Sequence, residues 1–172
     1  MAGRFTHILV PTDFNPASDA ALAYAKELAL MFDARLTLLH VVTDPVATGA
    51  WAPDVYVSAS AEMGARFLRT TRERLEAALT PEERARFAVR IEVWIGVPAQ
   101  IIEDIAREQK VDLIVMGTHG RRGLSHMVLG SVAERVVRHA PCPVLTTHAE
   151  ILPDVKSEPA ALPRWEWTGS VL

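Results

Sequence analysis

The sequence contains little cysteine and no long hydrophobic run, and each shortage excludes a class of protein. Its single cysteine, Cys142, cannot form an internal disulfide or a cysteine-rich zinc site. No apolar run approaches the roughly 20 residues that a membrane-spanning helix needs. Residues 1–7 contain no long apolar segment, so we expect no signal peptide. These shortages predict a cytoplasmic protein that does not insert into a membrane.

The sequence also lacks an excess of positive charge. Its 18 Lys and Arg residues are outnumbered by 21 Asp and Glu residues, and the formal net charge is −3. General nucleic-acid binding needs a basic surface, so we expect no nucleic-acid partner. Hydrophobic residues make up 49% and charged residues 23%, as in ordinary soluble globular proteins. A chain of 172 residues can bury a core, and its length predicts one main domain.

Short apolar runs alternate with helical patterns along the chain. We predict five strands, at about residues 5–11, 36–42, 88–95, 113–116 and 142–147. We predict helices at about residues 16–32, 59–79 and 99–109, a short helical turn after residue 80, and a last helix after residue 131. This alternation predicts an α/β fold, with one doubly wound, five-stranded parallel sheet and helices on both faces.

Two local patterns refine these elements. Asn15 before Pro16, and Thr80 before Pro81, each combine a capping side chain with a proline that favours a first helical position. The third strand alternates, which predicts an edge strand with Glu92 on the outer face. Its predicted inward residues are Val89, Ile91, Val93 and Ile95.

A glycine-rich basic loop joins the fourth strand to the last helix. Gly117 ends the strand, Gly120 and Gly130 follow, and Ser131 begins the helical pattern. Glycines with positive φ are one interpretation of this loop. The other is an anion site, usually for phosphate, because the backbone can approach a ligand and a helix start offers unpaired N–H groups. The S-x-x-E pattern from Ser131 to Glu134 also predicts that Ser131 caps the helix.

The glycine spacing distinguishes this loop from two common phosphate loops. No Gly-Lys-Ser/Thr follows, as a Walker A loop requires, and the pattern is not G-x-G-x-x-G. The spacing Gly117-x2-Gly120-x9-Gly130-Ser131 resembles the nucleotide-binding signature of the universal stress protein family. The Met-Gly-Thr-His-Gly start, the Leu-Gly-Ser-Val end and the following Pro-Cys-Pro-Val match as well. The resemblance covers about residues 4–148.

The resemblance implies a Rossmann-like sheet with the strand order 3-2-1-4-5. In that order the winding reverses between the first and fourth strands, and ligands bind at such a point, beside the carboxyl ends of the strands. Asp13 ends the first predicted strand and Gly117 ends the fourth. We therefore expect these two residues to meet at one crevice, although they are far apart in the sequence.

The resemblance also implies an adenine nucleotide, ATP with Mg²⁺, as the ligand. The residues implied for the adenosine end are Pro11, Thr12, Val41 and Met116. Asp13 would accept a hydrogen bond from the ribose or hold a phosphate-bound Mg²⁺ indirectly; the alternative is a turn or helix-start residue. The residues implied for the phosphate loop are Gly117, Thr118, His119, Gly120, Arg121, Arg122, Gly130, Ser131 and Val132. Its two arginines are either solvated loop charges or phosphate ligands, since arginine forks suit phosphate oxygens.

No catalytic residue and no direct metal ligand is predicted. The six histidines show no ligand spacing such as H-x3-H, and no carboxylate stands beside His119 or His126 to orient a catalytic role. No nucleophile–base pair or pair of catalytic carboxylates is apparent either. Cys142, between two prolines at the start of a predicted strand, is interpreted as a packed, inert thiol.

The resemblance implies a universal stress protein of the ATP-binding subclass. Such a protein would act as a nucleotide-dependent stress-response or regulatory module on an unknown client. One alternative is an ATP-hydrolysing or nucleotide-transferring enzyme of a related fold, in which Asp13 positions a metal; weak ATPase activity fits the leading interpretation too. The other alternative is a nucleotide-independent, dimeric interaction protein whose loop has lost its ligand.

The family pattern divides the chain into a domain at residues 1–149 and a C-terminal tail at 150–172. Prolines argue against a helix through most of the tail, and Trp165 and Trp167 predict docking on the domain or on a partner subunit. The fifth strand, at 144–147, lies last in the expected sheet, so its outer edge needs a cover. Universal stress proteins pair these edges about a two-fold axis, which implies a homodimer.

Overall fold

The structure is a computed structural model that describes residues 5–43, 61–118 and 129–148. Within these ranges the strands are β1 (His7–Pro11), β2 (Arg35–Thr43), β3 (Arg90–Gly96), β4 (Leu113–Gly117) and β5 (Val144–Thr147). The helices are α1 (Pro16–Phe32), α2 (Ala61–Ala77), α3 (Pro81–Arg86), α4 (Pro98–Glu108) and α5 (Ser131–His139). None of these described helices is long and apolar enough to cross a membrane. The predicted tail lies outside the described residues.

The five strands form one parallel sheet in the order β3-β2-β1-β4-β5. β1 is central, because Ile8 pairs with Leu36 of β2 on one side and with Leu113 of β4 on the other. β3 and β5 are the edge strands, and the winding reverses between β1 and β4. The expected strand order and the parallel direction are confirmed, and the predicted strand bounds agree with the structure to within two residues.

Helices cover both faces of the sheet, and β1 contributes to the core on each face. Ile8 and Val10 pack on the face that carries α1 and α2, whereas Leu9 packs on the face that carries α4 and α5. All three side chains are fully buried. Burial of an aliphatic side chain of this size contributes about 1.5–3 kcal/mol. Burial on both faces explains why this strand is a continuous apolar run.

The start and the inner face of α1 follow directly from its sequence. Asn15 caps the helix as predicted: its side-chain oxygen accepts the Ser18 N–H at 2.8 Å, and the Asn15 N–H donates to Ser18 Oγ at 3.1 Å. Most buried residues of α1 are alanines, among them Ala21, Ala25 and Ala29, and Leu22 is buried with them. Because alanine is small, α1 can lie close to the central strands.

β3 departs from the predicted alternation at two positions. Glu92, predicted on the outer face, is only 7% exposed, because Gln109 Nε2 and Trp94 Nε1 donate to its carboxylate at 2.7 and 2.8 Å. Ile95, predicted to face inward, is 49% exposed, since it lies next to the end of an edge strand. The other three predicted inward residues do pack against the core. At Glu92 the alternation fails because Gln109, which follows α4, contacts the second face of the strand.

Polar side chains close the edge of the sheet where the strands begin. Asp112 Oδ2 accepts the N–H groups of Thr6 and His7 at 2.8 and 3.0 Å and the Thr6 hydroxyl at 2.7 Å. Partial burial raises the pKa of the Asp112 carboxyl, but these hydrogen bonds outweigh it and hold the pKa below its usual value. His7 is buried and lies 2.8 Å from the Thr37 hydroxyl; burial, with the charge of Arg35, lowers its pKa. These polar contacts fix the starts of β1 and β4, and the opposite edge of the sheet opens into a cleft.

Candidate functional site

The cleft lies where the carboxyl ends of β1, β2 and β4 meet the first turns of α4 and α5. Its volume is about 420 Å³, within the range of about 300–1,000 Å³ that small-molecule sites occupy. It sits at the reversal of winding between β1 and β4, which is where open α/β sheets bind their ligands. The position and size of the cleft therefore fit a small-molecule site.

Ten of the fourteen predicted binding residues line this one cleft. They are Pro11, Thr12, Asp13, Val41, Met116, Gly117, Thr118, Gly130, Ser131 and Val132. The other four, His119, Gly120, Arg121 and Arg122, lie outside the described residues. The fold thus assembles residues from three strands and one helix start, and their contact with a ligand stays a prediction.

Hydrogen bonds hold the turn that follows β1. The Thr12 N–H donates to the Leu39 carbonyl at 2.8 Å, which extends the ladder with β2 beyond the strand. The Thr12 hydroxyl donates to Ser18 Oγ at 3.0 Å. The Asp13 carboxylate accepts the backbone N–H and the side-chain amide of Asn15 at 3.3 and 3.0 Å. These bonds support the turn interpretation of Asp13, and the same residue lines the cleft.

His40 ties β2 to this turn. It is buried and lines the cleft, and its Nδ1 lies 2.7 Å from the Thr12 carbonyl oxygen. A carbonyl can only accept a hydrogen bond, so Nδ1 carries the hydrogen and donates it. The imidazole also packs on the Phe14 ring, with 4.7 Å between the ring centroids. The position of the turn is therefore set from the neighbouring strand as well as from α1.

Gly117 is required by a close contact between β4 and the start of α1. A Cβ atom at this position would lie 2.8 Å from the Ala17 carbonyl carbon and 2.9 Å from the Ser18 nitrogen, and neither backbone atom can move easily. Positive φ is not the reason, because among the described glycines Gly96 alone has one. The Thr147 hydroxyl donates to the Ala17 carbonyl at 3.1 Å and fixes the same contact from β5.

The predicted cap of α5 is wrong by one residue. Gly130 is the cap, with extended backbone angles, and its carbonyl accepts the Glu134 N–H at 2.8 Å. Ser131 is already helical, and no side-chain hydrogen bond caps this helix. The Glu134 carboxylate pairs instead with Arg138 at 2.9 Å. The Gly130 N–H donates to the Thr118 carbonyl at 2.6 Å, which returns the chain to the end of β4.

The start of α5 opens into the cleft. The N–H groups of Ser131, Val132 and Ala133 have no acceptor within α5, because a helical N–H donates to the carbonyl four residues earlier and these three residues open the helix. All three residues line the cleft. The helix dipole adds about half a positive charge there. Since the cap is glycine, no side chain of the cap occupies these donors. The arrangement fits an anion such as phosphate.

A metal ion at the cleft would depend on the ligand's own oxygens. In the part of the chain that the structure describes, no group of three or more His, Cys, Asp or Glu residues could hold a metal ion. Asp13 supplies a single carboxylate at the cleft wall. One carboxylate together with phosphate oxygens and water is a normal environment for Mg²⁺. The site therefore fits Mg²⁺ that arrives with a nucleotide.

Part of the cleft lining was not predicted from the sequence. The missed residues are Ser18, Leu39, His40, Val42, Thr43, Pro98, Ile102 and Ala133. Ser18 had a detectable signal, because it lies three residues after the Asn15 cap, the spacing of a capping box. The residues from α4 carry no motif, and only the topology reveals them, since a helix after β3 begins at the edge of the sheet where the cleft lies.

Two solved structures share the fold over most of the chain. One is a universal stress protein of Methanocaldococcus jannaschii, which is 26% identical, has a TM-score of 0.69 and is matched over 85% of this chain and 97% of that chain. The other is a universal stress protein solved in complex with cAMP, which is 25% identical, has a TM-score of 0.53 and is matched over 86% and 99%. These structures confirm the Rossmann-like α/β fold.

Sequence comparison leads to the same family. A different universal stress protein of M. jannaschii is 37% identical over 147 residues, which are 82% of this chain and 81% of the relative. The model of the universal stress protein family matches residues 4–148. This range contains all of the described residues that line the cleft. The chain belongs to the universal stress protein family.

Proposed function

We propose that this protein binds an adenine nucleotide, ATP with Mg²⁺, in the cleft and acts as a nucleotide-dependent stress-response or regulatory module. The observation that carries this proposal is the uncapped start of α5, which opens into the cleft beside the end of β4. A family member that is 25% identical was solved with cAMP, and this supports an adenine nucleotide. We place the activity in the cytoplasm, with a client protein as its partner.

In this proposal the phosphates lie at the start of α5. Ser131, Val132 and Ala133 supply backbone N–H donors, and an anion gains from the positive end of the helix dipole. Arg121 and Arg122 would add guanidinium forks, which bind phosphate oxygens in pairs. The proposal thus combines neutral N–H donors of the helix with positive charges of the loop.

The adenosine lies over the ends of β1, β2 and β4. Pro11, Val41 and Met116 form the apolar part of this wall, and the backbone of Val41 would bind the adenine edge. Asp13 would accept a hydrogen bond from the ribose or hold Mg²⁺ through water. A carboxylate accepts up to about four hydrogen bonds, so the bonds from Asn15 are compatible with a ligand contact.

The proposed activity is binding, with ATP conversion at most slow. Among the described lining residues, Asp13 and His40 are the titratable side chains, and His40 donates its Nδ1 hydrogen to a backbone carbonyl. In the enzyme alternative, Asp13 positions a metal for hydrolysis or transfer. Steady multiple turnover of ATP with Mg²⁺ would favour that alternative, whereas stable binding of intact ATP favours the regulatory module.

A homodimer through β5 (Val144–Thr147) completes the proposal. β5 is an edge strand, Leu145 is 38% exposed, and Val137 of the adjacent α5 is 48% exposed. Pairing two such edges about a two-fold axis would cover both. Light scattering should give a dimer mass, and removal of the tail at 150–172 should weaken the dimer without unfolding the subunit. A full-length chain that stays monomeric at high micromolar concentration contradicts this pairing.

Two measurements test the nucleotide proposal. Mass spectrometry of the freshly purified protein should identify an adenine nucleotide among co-purified small molecules. Calorimetry with Mg²⁺·ATP, adenosine and Mg²⁺·GTP should then show one ATP per subunit, weaker binding of adenosine and the weakest binding of GTP. If adenosine bound as tightly as ATP, the phosphates would not contribute to binding, and the proposed phosphate site at the start of α5 would be wrong. A folded protein that binds no nucleotide would support the nucleotide-independent alternative.

A further inference from the structure

Phe14 has a backbone conformation that its side chain does not favour. Its φ is +63°, in the left-handed region where a bulky residue is rare. Three other described residues with a side chain share positive φ, namely Asp33, Ala88 and Lys110. All three precede a strand, at the edge of the sheet opposite the cleft. Among the described residues with a side chain, Phe14 is therefore the one with positive φ at the cleft edge, where such outliers accompany function.

The side chains of Arg74 and His40 both pack against the Phe14 ring. The guanidinium of Arg74 lies 4.0 Å from the centre of the ring, which is a cation–π contact. The imidazole of His40 packs against the same ring, at 4.7 Å between centroids with an interplanar angle of 37°. Arg74 belongs to α2 and His40 to β2, so the ring is held by two elements that flank the turn.

The backbone of Phe14 is continuous with the cleft wall. The Phe14 N–H donates to Thr12 Oγ1 at 3.0 Å, and His40, which holds the ring, also binds the Thr12 carbonyl at 2.7 Å. Asp13 lies between Thr12 and Phe14 in the sequence and lines the cleft. Any rotation at Phe14 therefore moves Asp13, whose carboxylate has to be placed accurately to meet a ligand.

We propose that Phe14 is a positioning residue of the nucleotide site, and that Arg74 of α2 acts through it. The ring, held between His40 and Arg74, keeps the backbone at positive φ and so fixes Thr12 and Asp13 at the cleft. This inference rests on the proposed nucleotide function. It assigns a role in binding to a residue of α2, a helix that contributes no residue to the described lining of the cleft.

The first test separates the ring from the backbone strain. Phe14→Gly removes the ring but permits positive φ, whereas Phe14→Ala removes the ring and keeps the strain. We expect the Kd for Mg²⁺·ATP to rise about tenfold in both variants, because the ring and not the strain sets the turn. Arg74→Gln should raise Kd about threefold, and Arg69→Gln, an exposed control on the same helix, should leave it unchanged. Unchanged affinity in folded Phe14→Gly overturns the proposal.

The second test asks whether Phe14 acts through Asp13. In the double variant of Phe14→Gly with Asp13→Ala, a positioning role predicts that the two losses of affinity do not add, because Asp13 is the group being positioned. A merely structural role predicts a lower melting temperature with additive or no effects on Kd. Additive losses therefore overturn the assignment, and a double variant that binds like Asp13→Ala alone supports it.

A third measurement does not depend on the nucleotide. In the nucleotide-free protein, amide hydrogen exchange at positions 14 and 15 should be faster in Phe14→Gly and Arg74→Gln than in the parent or in Arg69→Gln. Equal exchange in all four proteins overturns the role of the ring. The variants could show this difference in exchange while the parent binds no adenine nucleotide. In that case the proposed function and the link to a nucleotide site both fail, but the role of the Phe14 ring in fixing the turn stands.

Discussion

The helices that follow β1 and β4 begin at the same edge of the sheet but in opposite ways. Side chains close the start of α1, where Asn15 and Ser18 exchange hydrogen bonds at 2.8 and 3.1 Å. The start of α5 has Gly130 as its cap and no side-chain hydrogen bond. The two starts flank the point where the winding of the sheet reverses. Side chains thus cap the first turn of α1, whereas no side chain caps the first turn of α5.

This difference separates stability from binding. A side-chain cap contributes about 0.5–2 kcal/mol, so a helix that lacks one forgoes that stabilisation. Thr80 caps α3 in a reciprocal box with Glu83, which shows that side-chain caps are also used away from the cleft. α4, whose first residue Pro98 lines the cleft, has no side-chain cap at Val97. Of the described helices that begin at the cleft, α1 alone is closed by side chains.

Gly117→Val should have the largest effect, because it breaks the close contact between β4 and the side-chain-capped start of α1. The new Cβ would meet backbone atoms of Ala17 and Ser18 at 2.8 and 2.9 Å, so β4 and α1 would have to separate. Overpacking of this kind costs about 3 kcal/mol. Urea unfolding should show a lower midpoint with an unchanged slope. A variant as stable as the parent would contradict the packing role of this glycine.

Asp13→Ala tests whether a residue of the turn before α1 also contacts the ligand. A hydrogen bond to a charged group is worth about 1.5–3 kcal/mol, so the Kd for ATP should rise by about tenfold or more. The matched control is Asp19→Ala, which removes an exposed carboxylate from the first turn of α1 without changing the cleft lining. Calorimetry and thermal melts are read together. A lower melting temperature with unchanged affinity would favour the turn interpretation of Asp13.

Gly130→Glu changes the open side directly. It would put a side chain and a negative charge at the uncapped start of α5, where the proposed phosphates lie. We expect ATP affinity to fall at least about tenfold, or roughly 1.4 kcal/mol. Thr70→Glu, at an exposed position of α2, is the charge-matched control and should bind as the parent does. If a folded Gly130→Glu variant bound ATP as tightly as the parent, the proposed phosphate site at the start of α5 would be wrong.

The elements that could be predicted are those whose signals are local. Asn15 and Thr80 mark helix starts through their own side chains, and the central strands are apolar because both of their faces are covered. The pattern from Ser131 to Glu134 fails because a cap also needs the right backbone, and Gly130 occupies that position. The short pattern shows which residues could cap a helix but does not fix where the helix begins.

The parts that could not be predicted depend on tertiary contacts. The order of the strands is not encoded in any one of them, and the family resemblance supplied it. Glu92 is buried because the residue after α4 and a neighbour on its own strand donate to it, which no alternation shows. His40 lines the cleft because β2 pairs beside β1. Such residues become visible only when the sheet is assembled.

Asn15→Ala should reduce stability more than binding. Loss of the cap should lower the free energy of unfolding by about 1 kcal/mol. Thr80→Ala removes the equivalent cap of α3, away from the cleft, and should cost a similar amount with no change in ATP affinity. Denaturant unfolding of both variants provides the comparison. If Asn15→Ala lowered affinity as strongly as Asp13→Ala, the start of α1 would belong to the binding machinery and the contrast with α5 would fail.

Ser131→Ala should have the smallest effect, because the Ser131 side chain does not cap α5. A capping serine would cost about 1 kcal/mol when removed, so a loss below about 0.5 kcal/mol is the result that fits Gly130 as the cap. Ser131→Pro sharpens this prediction. Proline is favoured at the first helical position and, compared with Ser131→Ala, also removes the N–H donor; the extended backbone of Gly130 is compatible with a following proline.

ATP affinity should then separate the two variants of the open helix start. Ser131→Ala keeps the backbone donor and should bind ATP nearly as the parent does. Ser131→Pro lacks one N–H at the proposed phosphate position and should bind about tenfold more weakly, since a hydrogen bond to a charged group is worth about 1.5 kcal/mol or more. Equal affinity in both variants would show that this N–H does not contact a phosphate. An equal loss in both variants relative to the parent would assign the contact to the hydroxyl, because both variants lack it.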